Sequence, residues 1–241
     1  MSEFARPEQN LLLASLTVAE KDRLYPNMEL VDFQLGDILY DSHDVITDVF
    51  YPVDSIVSLL YVMEDGSSAE IAVVGREGVT GVGLCMGNSE SASRALVQGA
   101  GSAYRLSGDV FKEEFRRNGL FHDRVLRYTQ ALLSQMAQTA VCNRHHTVDQ
   151  QLCRWVLLSL DRLPSNKLVM TQQLIANMLG VRREGVTEAA GKLQKLGIIR
   201  YSRGRIAVLD RDLLEERCCE CYSVVKREFD RLVAAPMRES A

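Results

Sequence analysis

The sequence predicts an α+β chain: an N-terminal antiparallel β-roll of jelly-roll type, one long helix, and a C-terminal winged helix-turn-helix. Three observations carry this. Between Leu30 and Leu106 the chain breaks into short β-type runs such as VDFQLGDILY, VFYPVDSIVSLLYVM and AEIAVV, separated by Gly, Asp and Ser. From about Leu120 to Cys142 apolar residues recur at helical spacing. In TQQLIANMLGVRREGVTEAAGKLQKLG, Ala176, Gly180 and Val186 meet the demands of two helices crossing over a tight turn. That geometry asks for a small residue, a turn glycine four places later and a buried aliphatic six beyond that.

Taken in order, Thr17-Val18-Ala19-Glu20 fits a capping box, so a helix starts there and runs to about Tyr25, before Pro26. Among the β-type runs that follow, Asp65-Gly66 reads as a hairpin turn. DVFKEEFRR (Asp109 to Arg117) is a short helix, broken at Asn118-Gly119. On the long helix Val125, Leu132 and Thr139 recur every seven residues, with Thr129 and Met136 between them. A second stripe holds Leu126, Leu133, Ala137 and Ala140. Two apolar stripes point to two partners, the helix's own domain and a second copy of the chain, and the first stripe is assigned to the dimer contact. One wide face buried within a monomer is the competing reading.

Polar NRHHT (Asn143 to Thr147) breaks the periodicity and marks a hinge. VDQQLCRWVLLSLDRL (Val148 to Leu163) is another amphipathic helix, stopped by Pro164, with Trp155 on its apolar face. GIIRYSRGRIAVLD reads as two strands around Ser202-Arg203-Gly204-Arg205, a hairpin wing. The expected division is helix and β-roll (1–117), long helix and hinge (118–147), winged helix-turn-helix (148–232) and a tail (233–241).

Hydrophobic and charged contents of 46% and 25% are those of an average globular chain. No apolar run approaches the roughly 20 residues of a membrane helix, so no membrane partner is expected. The opening MSEFARPEQNLLL lacks the cationic-then-apolar order of a secretory signal. Six cysteines, scattered or crowded, do not form a disulfide framework, and the expected location is a reducing cytoplasm. The net charge of −4 hides an asymmetry: from 143 to 209 eleven Lys/Arg face four Asp/Glu, a net +7 against −11 elsewhere. Such a segment is a footprint for a polyanion, with a merely solvated basic face as the alternative.

Thr171 is a candidate N-cap for the first helix of the motif. Arg182-Arg183-Glu184 open the second, where side chains are free to reach base edges in a major groove. The order β-roll, long helix and then MTQQLIANMLGVRREGVTEAAGKLQKLGII resembles the Crp/Fnr transcription regulators over about residues 20–230, most specifically in the C-terminal third. The resemblance implies a homodimer joined through the long helix, bound to double-stranded DNA at two half-sites about 10 bp apart. It also implies RNA polymerase as a further partner. Arg183 and Glu184 match the family's Arg-Glu pair at the head of the recognition helix. Glu188 completes the base-contacting set but departs from the second arginine common there, so the base preference at that step differs. Thr171, Gln172, Gln173, Arg182, Arg203 and Arg205 match phosphate-contacting positions.

The stretch VVGREGVTGVGLCMGNSESASRALV (Val73 to Val97), with five glycines, looks like a phosphate cradle. A Walker loop fails because Val82 follows Gly81 where a lysine is needed. The dinucleotide fingerprint fails because Gly81, Gly83 and Gly87 are one residue too widely spaced. The resemblance implies a cyclic-nucleotide cassette there, with Gly-Glu on the ribose and Arg-Ser on the cyclic phosphate. This chain has Gly75-Arg76-Glu77-Gly78 and Ser93-Arg94, one displaced and the other reversed. On a strand a shift of one residue turns a side chain to the opposite face. Arg76, Glu77, Ser93 and Arg94 are therefore the candidate pocket for a small-molecule effector, most readily one other than cyclic AMP, with cyclic AMP itself and a purely structural loop as the alternatives. No cofactor is identified.

Cys218-Cys219-x-Cys221 falls in an expected C-terminal helix and lacks a fourth ligand unless Cys142 or Cys153 comes near. Cluster-binding members of the family usually carry an N-terminal cysteine group, and no Cys precedes Cys85 here, so no metal is assigned. His145-His146 reads as a solvated hinge pair. No Ser/His/Asp, Cys/His or paired-carboxylate arrangement stands out, and no enzymatic activity is expected. The resulting expectation is a dimeric DNA-binding transcription regulator controlled by a signal at the β-roll. The alternative is a ligand- or cofactor-binding sensor whose C-terminal domain engages a protein partner.

Overall fold

The computed structural model describes residues 5–163 and 165–234. Pro164, the expected helix stop, and the end of the expected tail lie outside the described residues. Seven strands build the roll: β1 (Met28–Phe33), β2 (Ile38–Tyr40), β3 (Asp48–Pro52), β4 (Ile56–Val62), β5 (Ser68–Val74), β6 (Arg94–Gly99) and β7 (Gly101–Ser107). They form two antiparallel sheets, ordered β1-β7-β3 and β2-β6-β4-β5. Phe33, Tyr40, Val49, Tyr51, Val57, Leu59, Val97 and Leu106 belong to the buried core. Asp65-Gly66 turns β4 into β5, with Gly66 in the left-handed region at φ +82° and Asp65 accepting from the Ser67 amide. In β4 every residue from Ile56 to Leu60 is buried, because helices cover the sheet face that points away from the roll's interior.

Two short helices, α1 (Leu11–Ala14) and α2 (Val18–Leu24), precede the roll. The Thr17/Glu20 capping box forms, and the second Glu20 oxygen accepts from the Phe121 amide at 2.8 Å, so the cap also fastens the start of the long helix. After α3 (Gly108–Arg116), Asn118 turns left-handed at φ +54° and α4 runs over Leu120–His145. Residues Asn143 to His145, expected in the hinge, remain helical. The break is confined to His146, which is extended, and to Thr147, whose capping box with Gln150 starts α5 (Val148–Leu160).

The stripes on α4 face opposite to expectation. Val125, Leu132 and Thr139, assigned to a dimer contact, are 0%, 3% and 6% exposed within this single chain, and Thr129 and Met136 are half-buried. The inner face of α4 is taken up by β5 and by the last helix, α9 (Glu220–Ala234), which folds back along it. The stripe left in solvent is the other one: Leu126, Leu133, Ala137 and Ala140, extended by Val141.

The C-terminal part contains α6 (Gln172–Leu179), α7 (Arg183–Lys195) and α8 (Arg211–Glu216), with a three-stranded sheet β8 (Lys167–Val169), β9 (Ile199–Ser202) and β10 (Arg205–Val208) in the order β8-β10-β9. Strand β8 is three residues long and carries no pattern that announces it. Every residue of α5 from Gln151 to Leu160 is buried, because α7, α8, α9 and β8 pack on it and Gln98 of the roll reaches its Ser159. No helix among the described residues is long and apolar enough to cross a membrane.

Candidate nucleic-acid interface

The helix-turn-helix is built as its spacing demands. The Thr171 hydroxyl accepts from the Leu174 amide at 3.2 Å and starts α6. Gly180 ends it in the left-handed region at φ +64°, where only glycine is free of a Cβ penalty. Ala176 and Val186 are buried at the crossing with Ile175, Met178, Leu179, Ala190 and Leu193. No side chain caps α7, so its first amides and the positive end of its dipole are open beside exposed Arg182, Arg183 and Glu184. One turn on, the Thr187 hydroxyl donates to Gln172 Oε1 at 2.8 Å and locks α6 to α7 on the outer face.

The wing is a two-residue hairpin with Arg203 at φ +50° and Gly204 at φ +72°, the pair of left-handed residues that matches strand twist. The Met170 amide donates to the Gly204 carbonyl at 2.7 Å and the Tyr201 hydroxyl to the Met170 carbonyl at 2.9 Å, so the wing is anchored beside the start of α6. Thr171, Gln172, Gln173, Arg183 and Arg203 consequently line one open groove. Arg205 lies on the adjoining surface with Lys167 of β8 and Arg200 of β9, two cations that the sequence does not single out, Lys167 because its strand β8 leaves no pattern. Glu188 is exposed and paired with Lys192 (2.9 Å), which also reaches Asp149 at 3.1 Å.

Not all of the basic segment belongs to this surface. Arg154 and Arg162 are buried. Arg162 pairs with Glu77 at 2.7 Å, donates to the Leu158 carbonyl and Gln135 Oε1, and lies over the Phe229 ring. This corrects the expected effector pocket. Glu77 is drawn to Arg162, whereas Arg94 forms a two-pronged bond with Asp41 (3.0 and 2.7 Å). Register separates them: Val74 pairs with Val57 on β4, and Arg94 with Leu60. Arg76 is exposed, and Ser93 is half-buried beside Ser91. The four do not share a pocket. The loop glycines serve packing: a Cβ on Gly75 would lie 2.6 Å from Arg162 Cγ, and one on Gly78 would strike the Tyr128 ring.

A second buried polar chain links roll to α5. Ser58 Oγ lies 2.5 Å from both Glu70 Oε2 and Gln98 Oε1, while Gln98 Nε2 donates to Ser159 Oγ, which donates to the Trp155 carbonyl. A hydroxyl has one proton to give, so the chain closes only when Glu70 is the donor to Ser58. Burial, partly offset by Ser58 and the distant Arg154 and Arg162 charges, pushes the Glu70 carboxyl up to about 7, in agreement.

The cysteines also depart from expectation. Cys218 and Cys219 lie in the turn between α8 and α9, not in a helix. Of the crowded trio, Cys219 and Cys221 meet Cys142 and His146, the four ligand atoms all within 4.8 Å of one another, whereas Cys218 and Cys153 are not in this group. Only His145 of the histidine pair is exposed.

Residues 150–217 match the family model described as the Crp-like helix-turn-helix domain. No curated protein sequence matches the chain. Among solved structures, FixK2 from Bradyrhizobium japonicum is similar with a TM-score of 0.67 at 16% identity, covering 80% of this chain and 98% of its own. TTHB099, a CRP-family transcriptional regulator from Thermus thermophilus, gives 0.64 at 16% identity, covering 78% and 95%. The c-di-GMP-responsive global regulator CLP from Xanthomonas campestris gives 0.62 at 15%, covering 80% and 99%. Residues 150–217 are a Crp-like helix-turn-helix domain, carried on a chain that has the fold of the Crp/Fnr regulators.

Proposed function

We propose that this protein is a sequence-specific DNA-binding transcription regulator that acts as a homodimer in the cytoplasm and works with RNA polymerase. The observation that carries the reading is the single groove formed by Thr171, Gln172, Gln173, Arg183 and Arg203 beside the uncapped start of α7. Arg183 suits two hydrogen bonds to guanine O6 and N7, and Glu184 suits a cytosine amino group. Glu188 contributes at the next turn once Lys192 yields it. Arg182, Arg203 and Arg205, with the α6 residues, take phosphate. The dimer forms through the exposed α4 stripe of Leu126, Leu133, Ala137 and Ala140, flanked by half-buried Thr129 and Met136. The signal acts on the docking of roll against α5, and not on a cassette of Arg76, Glu77, Ser93 and Arg94.

Selection of the full chain against random duplexes tests this. A two-fold-related site with half-site centres about 10 bp apart is expected, with affinity falling steeply as salt rises. Arg183→Ala should cost about 1–3 kcal/mol at its base pair and relax preference there. Arg203→Ala should weaken all duplexes alike and lower the salt slope by about 1. Salt-insensitive binding without a two-fold preference, or capture of a protein by the same face, would sink the proposal.

A further inference from the structure

Four side chains from three separate parts of the chain converge where the long helix meets the hinge. Cys142 is in the last turn of α4, His146 is the hinge residue, and Cys219 and Cys221 bracket the start of α9. All three cysteines are buried, and they form their own cluster apart from the main core. Cys142 Sγ lies 3.6 Å from Cys219 Sγ, and Cys221 Sγ lies 3.4 Å from His146 Nδ1. A tetrahedral zinc ion with Zn–S near 2.3 Å and Zn–N near 2.0–2.1 Å spaces its ligands about 3.8 Å apart between sulfurs and about 3.6 Å between sulfur and nitrogen. Those two separations match such a cage, and all four ligand atoms lie within 4.8 Å of one another.

The surroundings suit it. His146 turns Nδ1 inward and holds Nε2 3.4 Å from the Glu220 carboxylate, the partner that fixes the tautomer of a ligating histidine. Its amide donates to the Cys142 carbonyl and its carbonyl accepts from Gln151 Nε2, so backbone and ring are both held. Gln138 Nε2 donates to Cys221 Sγ at 3.0 Å. Three thiolates and a neutral imidazole around a divalent ion carry one net negative charge. Buried Arg154, held by Thr139 one turn before Cys142, forms no ion pair with a carboxylate among the described residues and supplies a balancing cation.

We propose that Cys142, His146, Cys219 and Cys221 bind one zinc ion, which fastens the end of α4, the hinge and α9 together. Up to three thiol protons leave to solvent as the ion enters, and no redox change is involved. The donor set and its compactness favour a single tetrahedral ion over an iron–sulfur cluster, most of which are held by four cysteines.

The test is the metal content of the full chain purified without chelator, followed by cobalt(II) titration of the chelator-stripped protein. About one zinc per chain is expected, with cobalt(II) giving the bands of a tetrahedral, thiolate-rich site. Cys142→Ser should abolish stoichiometric binding, and Glu220→Gln should weaken it about tenfold. Should Cys142→Ser fail to fold, His146→Ala and the cobalt spectrum of the unaltered protein decide. Absence of zinc together with absence of the cobalt bands would overturn the proposal. So would iron with inorganic sulfide, or a Cys142–Cys219 disulfide in the purified protein.

Discussion

Glu77→Ala should destabilise the protein by about 3–5 kcal/mol, read as a lowered denaturant midpoint at unchanged slope. The side chains of Glu77 and Arg162 are 9% and 4% exposed, and their ion pair joins the end of β5 to the C-terminal end of α5. Removing the carboxylate strands a guanidinium that lies over the Phe229 ring, on a stem packed against Gly75, and that has only neutral acceptors left, at Leu158 and Gln135. Burial of an uncompensated charge is the dominant penalty, exceeding the worth of the bond itself. Replacing both partners, as in Glu77→Leu with Arg162→Met, should recover most of the loss, because the stranded charge goes too. A cost below about 1 kcal/mol for Glu77→Ala would mean that water reaches Arg162 and that the roll does not hold α5 in this way.

Stability should fall between pH 5 and pH 8 by about 2.5 kcal/mol through Glu70 alone. Its carboxyl is raised from 4.5 to about 7 by burial in the Ser58–Gln98–Ser159 chain. In that window the folded protein keeps a proton the unfolded chain has released, so unfolding becomes easier as pH rises. The contribution is fully present below the unfolded value and lost as pH climbs through the folded one. Glu70→Gln keeps a donor for Ser58 and cannot ionise, so its stability should be flat where the parent declines, with the gap largest near pH 8. Parallel curves for the two proteins would show that Glu70 is already charged, or solvated, at pH 5.

Much of this architecture was legible along the chain because it rests on local rules. Thr17 with Glu20, the Asp65-Gly66 turn, the break at Asn118 and the arginine-tipped hairpin at Arg203-Gly204 are short-range backbone chemistry, and each stands where its residues indicate. The crossing at Ala176, Gly180 and Val186 was equally readable, since helix contact over a tight turn permits few residue types at those places. Strand β8 was not, because three residues hold too little pattern.

What periodicity could not decide was which neighbour each face would meet. The two stripes on α4 were visible, but only the return of α9 made Val125, Leu132 and Thr139 interior and left Leu126 and Leu133 outside. Glu77 could be placed one residue out of a nucleotide cassette, yet its partner stands 85 positions away at Arg162. The same holds for Cys142 and Cys219, 77 positions apart and 3.6 Å between sulfurs. The elements, their order and the helix-turn-helix can be read from the chain because interactions within a few residues set them. Which charges are buried, which helix face is free and which ligands meet emerge only in the folded molecule, because they depend on contacts that close long loops and leave no short-range pattern.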